Sequence, residues 1–200
     1  MKEHFFQASD LADLLSAGSP ALFPTDTVPA LAAKPIYSKQ LWEIKKRKPD
    51  KPLILMGHSV EGLLRYVSSI AISDACQMAE KYWPGSLTMV LPSNSKLVNY
   101  LNPGGQTLGI RIPNCPFTKS LLIKSGPLAT TSANLSGQKT IVSNKDLQKL
   151  FPDIPLLAPD NWPKPSGMAS TVILWKDEVP AKWHLLRKGA VIPDECHNVF

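Results

Sequence analysis

Hydrophobic and polar positions change along the chain in short blocks, and each block fits one helix or strand. Leucines at helical spacing occupy the segment between Ser9, a candidate N-cap, and Gly18, a candidate helix end. The apolar run 21–23 follows and stops at Pro24. This pattern predicts a short amphipathic helix and then a buried strand whose end presents the polar residues 25–27.

The same periodicities predict the remaining elements. Ser38 is a candidate cap for a second helix, which Pro49 closes after a run of cations at 45–48. Further helices are predicted over 59–67, 73–82, 117–124 and 145–150, and strands over 52–56, 86–91, 108–112, 127–131, 170–174 and 183–186. Strands and helices are interleaved without strict alternation, and no repeat or linker divides the chain. We therefore expect a single domain over residues 1–200, with a mixed, twisted sheet covered by helices.

Composition constrains the partners and the compartment. The 200 residues are 44% hydrophobic, which is enough for one substantial core, and 22 Lys and Arg against 16 Asp and Glu give a net charge of +6. This charge suits an anionic ligand, although a generally basic surface accounts for it nearly as well. The 3 cysteines are widely spaced, and no apolar run reaches the length of a signal peptide or a membrane span. We expect free thiols, no membrane partner and a cytoplasmic location.

Candidate chemistry lies in polar stretches that follow strand-like runs, at 25–27, 130–134 and 170–171, and in the basic segment 45–51. Hydroxyls and backbone amides at strand ends hold phosphate or carboxylate oxygens, and nearby cations neutralise them. Each stretch taken singly also fits an ordinary turn or cap. The sequence has no phosphate-binding glycine loop, dinucleotide fingerprint, nucleophile elbow or zinc-protease motif, and its 4 histidines are scattered. We therefore expect an anion site without a protein-held metal.

Taken together, these stretches resemble the signatures of the YrdC/Sua5 family. The match is carried, in the family's order, by residues 23–31 (FPTDTVPAL), 45–53 (KKRKPDKPL), 83–88 (WPGSLT), 109–113 (GIRIP), 131–137 (TSANLSG), 170–172 (STV) and 186–189 (LRKG). The resemblance implies an α+β fold of three layers, in which helices flank a mixed twisted sheet with a basic concave face. It also implies the short, single-domain form, without the extra C-terminal domain of longer members.

The activity that the resemblance implies is L-threonylcarbamoyladenylate synthesis. In that reaction threonine and bicarbonate or CO2 give a carbamate, which attacks the α-phosphate of ATP and expels pyrophosphate. The product, threonylcarbamoyl-AMP, serves the t6A modification of tRNA. The implied class is a nucleotidyltransferase that takes Mg²⁺ with ATP and passes its product to a separate threonylcarbamoyl transferase complex. Such a transfer needs alignment and neutralised charge more than a protein nucleophile.

The resemblance also assigns roles to single residues. Lys45 and Arg47 are the expected catalytic cations. The expected ATP contacts are Arg47, Lys51, Thr107, Ser132, Asn134, Thr140 and Arg187, with Asn134 either reaching the phosphates or supporting the loop of Ser132. The expected threonine contacts are Thr27, Arg111, Thr130 and Ser170. Arg111 suits the amino-acid carboxylate because a guanidinium binds it through two hydrogen bonds, and a structural ion pair at a strand edge is the alternative.

Departures from the family pattern and other functions stay open. Pro29 and Ala30 stand where many members have Tyr-Gly, and Met56 stands where some have a threonine-contacting His. His58 is a candidate replacement, because side chains two apart in a strand share a face. The alternatives are a YciO-like protein that binds double-stranded RNA or tRNA without synthase activity, and a hydrogenase-maturation carbamoyl-transfer domain, which the chain length disfavours. The proline-rich segment 159–167 is a candidate mobile cover, and an ordinary surface loop is the favoured alternative.

Overall fold

The computed structural model describes residues 4–179 and 182–197. Its α-helices are α1 (Ala8–Ser16), α2 (Lys39–Ile44), α3 (Val60–Leu64), α4 (Ile72–Tyr82), α5 (Leu97–Leu101), α6 (Pro116–Ser125) and α7 (Asn144–Leu150). Short 3₁₀ turns at Pro35–Tyr37 and Ser69–Ala71 lead into α2 and α4. Within the described ranges, no helix is long and apolar enough to cross a membrane.

The strands form one mixed sheet. They are β1 (Phe5–Phe6), β2 (Ala21–Phe23), β3 (Ala30–Ala33), β4 (Ile54–Met56), β5 (Leu87–Pro92), β6 (Thr107–Arg111), β7 (Leu128–Ser132), β8 (Leu156–Leu157), β9 (Thr171–Trp175), β10 (Trp183–Arg187) and β11 (Cys196–His197). Their order in the sheet is β1-β8-β2-β3-β7-β4-β6-β5-β9-β10-β11. Among neighbours, β4 runs parallel to β6 and β5 parallel to β9, whereas β3 and β7 are antiparallel. The predicted mixed sheet is confirmed.

Alternation of side chains along the strands places a hydrophobic core on each face of the sheet. In β2, Leu22 lies in a core with residues of α2, α3 and α4. Its neighbours Ala21 and Phe23 lie in a second core with residues of α1 and α6. Each fully buried leucine or phenylalanine contributes about 2 kcal/mol through removal of its surface from water. Helices therefore pack on both faces, which gives the three layers that the sequence predicts.

The second face of the sheet is covered only in part. Helices α1 and α6 pack against each other and share a core with β2, β3 and β8. Farther along the sheet, the same face carries the side chains of Ile54, Val90 and Val172, and Gly109 lies between them in the strand order. These residues line an open cavity. The sheet is wider than the helix pair that covers this face, and the cavity lies over the part of the face that the helices leave uncovered.

Several predicted helix ends are wrong although the helices themselves are confirmed. Ser9 lies inside α1, because Gln7 already has the extended backbone of the residue that precedes a helix. Ser38 precedes α2, but its hydroxyl donates to the carbonyl oxygen of Tyr100 at 2.6 Å and caps nothing. Helix α2 ends at Ile44, well before Pro49, at a turn described below.

Other elements escaped prediction. Strand β3 is a run of alanines and one leucine, residue types with weak strand preference apart from the leucine. The strands β1, β8 and β11 have two residues each, and such pieces are defined by their pairing partners more than by their own sequence. Helix α5 has five residues, which is too short for a clear period.

Candidate ligand-binding site

The open cavity has a volume of about 500 Å³, a size typical of sites for small ligands. Its floor is apolar and consists of the strand side chains Ile54, Val90, Val172 and Leu174 with Gly109. Hydroxyls and arginines stand around this floor, at Thr27, Thr88, Thr130, Thr131, Ser132 and Ser170 and at Arg47, Arg111 and Arg187. An apolar base with polar and cationic walls suits a ligand that has both uncharged and anionic parts.

Arg111 is a buried polar residue of the cavity lining. It is the last residue of β6, and its side chain is 3% exposed. Nη1 donates to Oγ1 of Thr27 at 2.8 Å, Nε to the carbonyl oxygen of Gly85 at 2.9 Å, and Nη2 to Oδ1 of Asp26 at 2.7 Å. Burial lowers the pKa of Arg111 from its ordinary value, and the charge of Asp26 opposes that change. Arg111 thus forms an ion pair with Asp26, the structural alternative stated for it above, and it also lines the cavity.

A tight turn after β2 presents Thr27. The hydroxyl of Thr25 donates to the carbonyl oxygen of Val28 at 2.6 Å and accepts hydrogen bonds from the amides of Thr27 and Val28. The two threonine hydroxyls lie 3.0 Å apart. Because the hydroxyl hydrogen of Thr25 is used by Val28, the hydrogen between them comes from Thr27. Thr27 is therefore held in one orientation beside Arg111.

Ser170 and Arg187 form the opposite wall. Oγ of Ser170 lies 2.8 Å from Oγ1 of Thr88. Nη2 of Arg187 donates to the carbonyl oxygen of Ser170 at 2.8 Å and to its hydroxyl at 3.2 Å. The end of β10 thus fixes the residue that precedes β9. Burial lowers the pKa of Arg187, and its charge lowers the pKa of Arg111 in turn.

The segment after β10 packs tightly onto the start of β9. A Cβ at Gly189 would overlap the carbonyl oxygen of Ala169 and the amide nitrogen of Thr171, so only glycine fits. Oγ1 of Thr171, which is fully buried, accepts hydrogen bonds from the amides of Gly189 and Val191 at 3.1 and 3.4 Å and donates to the carbonyl of Val191. This contact holds Arg187 and Ser170 at a fixed separation.

Lys45 and Arg47 follow α2 but point to different places. The amide of Lys46 donates to the carbonyl of Glu43 at 3.0 Å, and that of Arg47 to the carbonyl of Trp42 at 2.9 Å. This is the pattern of a Schellman turn, and Lys46 takes the left-handed φ of 49° at its centre. The reversal separates the neighbouring side chains. Lys45 is 1% exposed, whereas Arg47 lines the cavity.

Lys45 occupies a cage of oxygen atoms. Nζ donates to the backbone carbonyls of Ser132 and Asn134 and, at 3.3 Å, to Oδ1 of Asn134. These acceptors account for all three N–H groups of an ammonium. Burial, and then the charge of Arg47, lowers the pKa of Lys45 to about 8. Lys45 thus supports the loop after β7 from outside the cavity, which differs from the direct catalytic contact that the resemblance implies.

Arg47 reaches the cavity beside the same loop. Nη1 donates to Oγ1 of Thr131 at 3.0 Å and Nη2 to the carbonyl of Pro52 at 3.0 Å, while the buried Nε has no partner among the described residues. Burial, and then the charge of Arg187, lowers the pKa of Arg47. Cations that repel each other across one cavity leave it ready for an anion.

The structure gathers most of the expected contacts in this cavity. Those that line it are Thr27, Arg47, Thr107, Arg111, Thr130, Ser132, Ser170 and Arg187. Asn134 does not line it, because its Nδ2 donates to the carbonyls of Leu135 and Gln138 at 2.8 and 2.9 Å within the loop. Lys51 and Thr140 are exposed outside the cavity lining.

The cavity lining includes residues that the sequence did not predict, and it also includes positions that depart from the family pattern. Thr88 lines the cavity, and the sequence carried only the hint of a hydroxyl residue within the apolar strand run 86–91; it shares a face of β5 with the lining residue Val90. Pro29, Ala30 and Met56 line the cavity. His58 is not among the lining residues, because β4 ends at Met56 and the strand alternation does not extend to it. The segment 159–167 is tied to the site, since the amide of Gly167 donates to the carbonyl of Thr27 at 2.9 Å.

The open-faced mixed sheet carries a cavity that gathers guanidinium and hydroxyl groups, which are the groups that bind anions in proteins. The chain belongs to the Sua5/YciO/YrdC family, because the model of that domain, described as "Telomere recombination", matches residues 13–189. It is 30% identical over 199 residues to the threonylcarbamoyl-AMP synthase of Bacillus subtilis, covering 97% of this chain and 56% of that protein.

Solved structures agree with this assignment. The structure of P. abyssi Sua5 complexed with L-threonine matches with a TM-score of 0.82 and 32% identity, over 91% of this chain and 54% of that chain. E. coli YciO matches with a TM-score of 0.80 over 94% of this chain and 91% of that chain, and at 20% identity it supports the fold alone. The chain spans little more than half the length of the two synthase relatives. The YrdC-like fold is thereby confirmed.

Proposed function

We propose that this chain forms threonylcarbamoyl-AMP and pyrophosphate from L-threonine, bicarbonate or CO2, and ATP. The observation that carries the proposal is the charge balance of the cavity. Arg47, Arg111 and Arg187 all line it. Within the described residues, Arg111 pairs with Asp26, whereas neither Arg47 nor Arg187 forms an ion pair. Asp50 acts on Arg47 from a distance and forms no ion pair with it. Two arginines without an ion-pair partner suit an anionic ligand, and a polyphosphate fits them.

The two sides of the cavity suggest separate tasks. Arg47, Arg187 and Ser132 all line the cavity, and they would bind the phosphates of ATP and oppose the charge that grows on the departing pyrophosphate. Arg111 is hydrogen-bonded to Thr27, and two of its N–H groups remain for the carboxylate of threonine. A carbamate oxygen formed on the threonine amine then attacks the α-phosphate, and the bond to pyrophosphate breaks. The chain's part is alignment and charge neutralisation.

Mg²⁺ enters this proposal only as the counter-ion of the ATP phosphates. Within the described residues, no group of three or more His, Cys, Asp or Glu side chains gathers at metal-binding distance. The printed name of the Bacillus subtilis relative supports the synthesis of threonylcarbamoyl-AMP. The other parts of the proposal follow from the resemblance alone: a nucleotidyltransferase of the cytoplasm whose product goes to a separate transferase acting on tRNA.

The test is pyrophosphate release from ATP with Mg²⁺ and bicarbonate, measured with L-threonine, with L-serine and without amino acid. Release that requires L-threonine is the expected result. Arg47→Ala should lower the rate about 100-fold, because a preorganised donor to the phosphates is lost. Arg65→Ala is the matched control, since Arg65 is exposed at the end of α3 and does not line the cavity.

Absence of threonine-dependent release in the folded wild-type protein would contradict the synthase proposal. The YciO-like alternative would then gain support, and it makes its own prediction. A protein that binds an RNA duplex through its basic residues loses affinity steeply with added salt. Titration of a fluorescent RNA duplex at two salt concentrations measures this directly, and weak binding at both concentrations removes the alternative.

A further inference from the structure

Asp26 connects four segments of the chain from a position beneath the cavity. Oδ1 accepts hydrogen bonds from Nη2 of Arg111 at 2.7 Å and from the amide of Asn114 at 3.0 Å. Oδ2 accepts from the hydroxyl of Ser86 at 2.7 Å. Its backbone carbonyl accepts from the amide of Ser166 at 3.0 Å. The side chain is 15% exposed and does not line the cavity.

This network fixes the Asp26 carboxylate itself. A carboxylate that accepts three hydrogen bonds from three different residues has little freedom to rotate. Two of the donors, the hydroxyl of Ser86 and the amide of Asn114, are uncharged. The carboxylate therefore keeps its negative charge available for the third donor, Arg111.

The guanidinium of Arg111 is in turn oriented by its hydrogen-bond acceptors. A guanidinium has five N–H groups, and those of Arg111 that go to Asp26, Thr27 and Gly85 lie on three different nitrogens. One N–H on each terminal nitrogen is therefore left. With all three nitrogens anchored, the plane of the guanidinium is set, and the remaining N–H groups have a fixed direction.

The charge of Asp26 matters as much as its geometry. Arg111 is 3% exposed, and an unpaired cation at that depth is costly. Arg187 adds repulsion, because its charge lowers the pKa of Arg111. Asp26 is the one carboxylate that forms an ion pair with Arg111 among the described residues. It allows an ionised arginine to be buried in the cavity lining.

We propose that Asp26 is the positioning residue for the amino-acid end of the site: it holds Arg111 in the orientation that receives the substrate carboxylate. The inference rests on the proposed function and assigns a role to a side chain that touches no substrate. It places the selection of an amino-acid carboxylate in the Asp26–Arg111 pair. The phosphate-binding side, with Arg47, is independent of it.

The decisive variant is Asp26→Asn, which keeps the size and an acceptor oxygen but removes the charge. We expect its KM for L-threonine to rise about tenfold or more, because a charge-assisted contact is lost and Arg111 is released. The KM for ATP should stay within about twofold, and kcat at saturating L-threonine should be largely retained. Asp74→Asn is the matched control. The carboxylate of Asp74 also accepts hydrogen bonds from one cation, Lys182, and one neutral donor, Trp175. Asp74 and these two donors all lie outside the cavity lining.

A binding measurement isolates the carboxylate. L-threonine and the neutral L-threoninamide are compared by the shift that each produces in the melting temperature of the protein. Wild type and Asp74→Asn should prefer L-threonine, and Asp26→Asn should lose that preference. ATP should still raise the melting temperature of Asp26→Asn, which reports a folded site.

The outcomes separate the two proposals. A wild-type preference for L-threonine that persists in Asp26→Asn would overturn the positioning role alone, as would a parallel rise of the KM for ATP and for L-threonine. Loss of ATP stabilisation in Asp26→Asn would also count against it, because the role would then be structural. No response of wild type to L-threonine would instead overturn the proposed function, and this inference with it.

Discussion

The ammonium of Lys45 and the side chain of Asn134 form one buried unit. Nζ of Lys45 donates to both the backbone carbonyl and Oδ1 of Asn134, and the amide group of Asn134 donates to two carbonyls of its own loop. A cation after α2 is thereby joined to the turn after β7. Ser132, the last residue of β7, lines the cavity directly before this turn, and its carbonyl also accepts from Lys45. The shape of the cavity there depends on a lysine that lies outside the lining.

Removal of Lys45 should change how stability depends on pH. Burial lowers the pKa of Lys45 to about 8 from 10.5. The lysine therefore binds its proton more tightly in the unfolded chain than in the folded protein. Below pH 8, where Lys45 is ionised in both states, its charge lowers the free energy of unfolding. This cost is relieved as the pH rises from 8 to 10.5. The free energy of unfolding of wild type, relative to Lys45→Met, should therefore rise by about 3 kcal/mol across that range. Urea unfolding at several pH values measures it, and a flat difference would contradict the prediction.

Replacement of Lys46 by glycine should stabilise the protein. Its φ of 49° lies in the left-handed region, where a side chain costs about 1 kcal/mol and glycine is favoured. We expect Lys46→Gly to raise the free energy of unfolding by up to about 1 kcal/mol, after the entropy that glycine adds to the unfolded chain. Lys46→Val should lower it, because a β-branched residue fits this region worst. Equal stability of the two variants in urea unfolding would show that the turn relaxes.

Gly189 should not tolerate any side chain. A Cβ there meets backbone atoms of Ala169 and Thr171, which cannot move without disturbing β9. We expect Gly189→Ala to lose at least about 2 kcal/mol of stability through strain and the broken contact. Gly109→Ala is the control. A Cβ at Gly109 lies 3.6 Å from the nearest side-chain atom, an ordinary contact, so this variant should fold with a change below about 1 kcal/mol. Thermal unfolding of both compares them, and similar losses would refute the close packing.

Thr171 should be among the most sensitive buried polar residues. Replacement by valine keeps its shape but leaves two amides and one carbonyl without their partner. We expect Thr171→Val to cost about 2 to 4 kcal/mol, since each unsatisfied buried group costs roughly 1 to 3 kcal/mol and partial hydration relieves some of it. Thr118→Val removes a single bond to Pro24 from an equally buried threonine and should cost about 1 kcal/mol. Chemical denaturation ranks the two, and the reverse order would contradict the account.

Local periodicity was informative where an element carries its own signal. Helix α4 (Ile72–Tyr82) has apolar positions at helical spacing and lies where the sequence predicts it. Strand β7 (Leu128–Ser132) ends in polar residues that the sequence placed at a strand end, and Thr130, Thr131 and Ser132 do line the cavity. In both cases neighbouring residues decide the outcome, so a window of the sequence suffices.

The local sequence did not predict the position of a side chain where that position depends on a residue far away in the chain. Nothing near Lys45 in the chain indicates that its ammonium points away from the cavity, because its acceptors lie almost ninety positions away. His58 was placed by extending a strand that stops at Met56. The Asp26–Arg111 pair joins residues 85 positions apart. These contacts depend on how β2, β4, β6 and β7 are ordered in the sheet, which no short window contains.

The sequence by itself determined the family, the mixed sheet covered by helices, and the set of cations and hydroxyls from which the cavity is built. Those features rest on residue type and spacing, which the chain displays directly. The tertiary structure decided which members of that set face the cavity and which support it from behind. The physical reason is that buried charge and hydrogen-bonding groups must be satisfied wherever the fold brings partners together. Lys45 and Asn134 are consumed in that way, Arg111 is fixed by Asp26, and Arg47 and Arg187 keep their charge for a ligand.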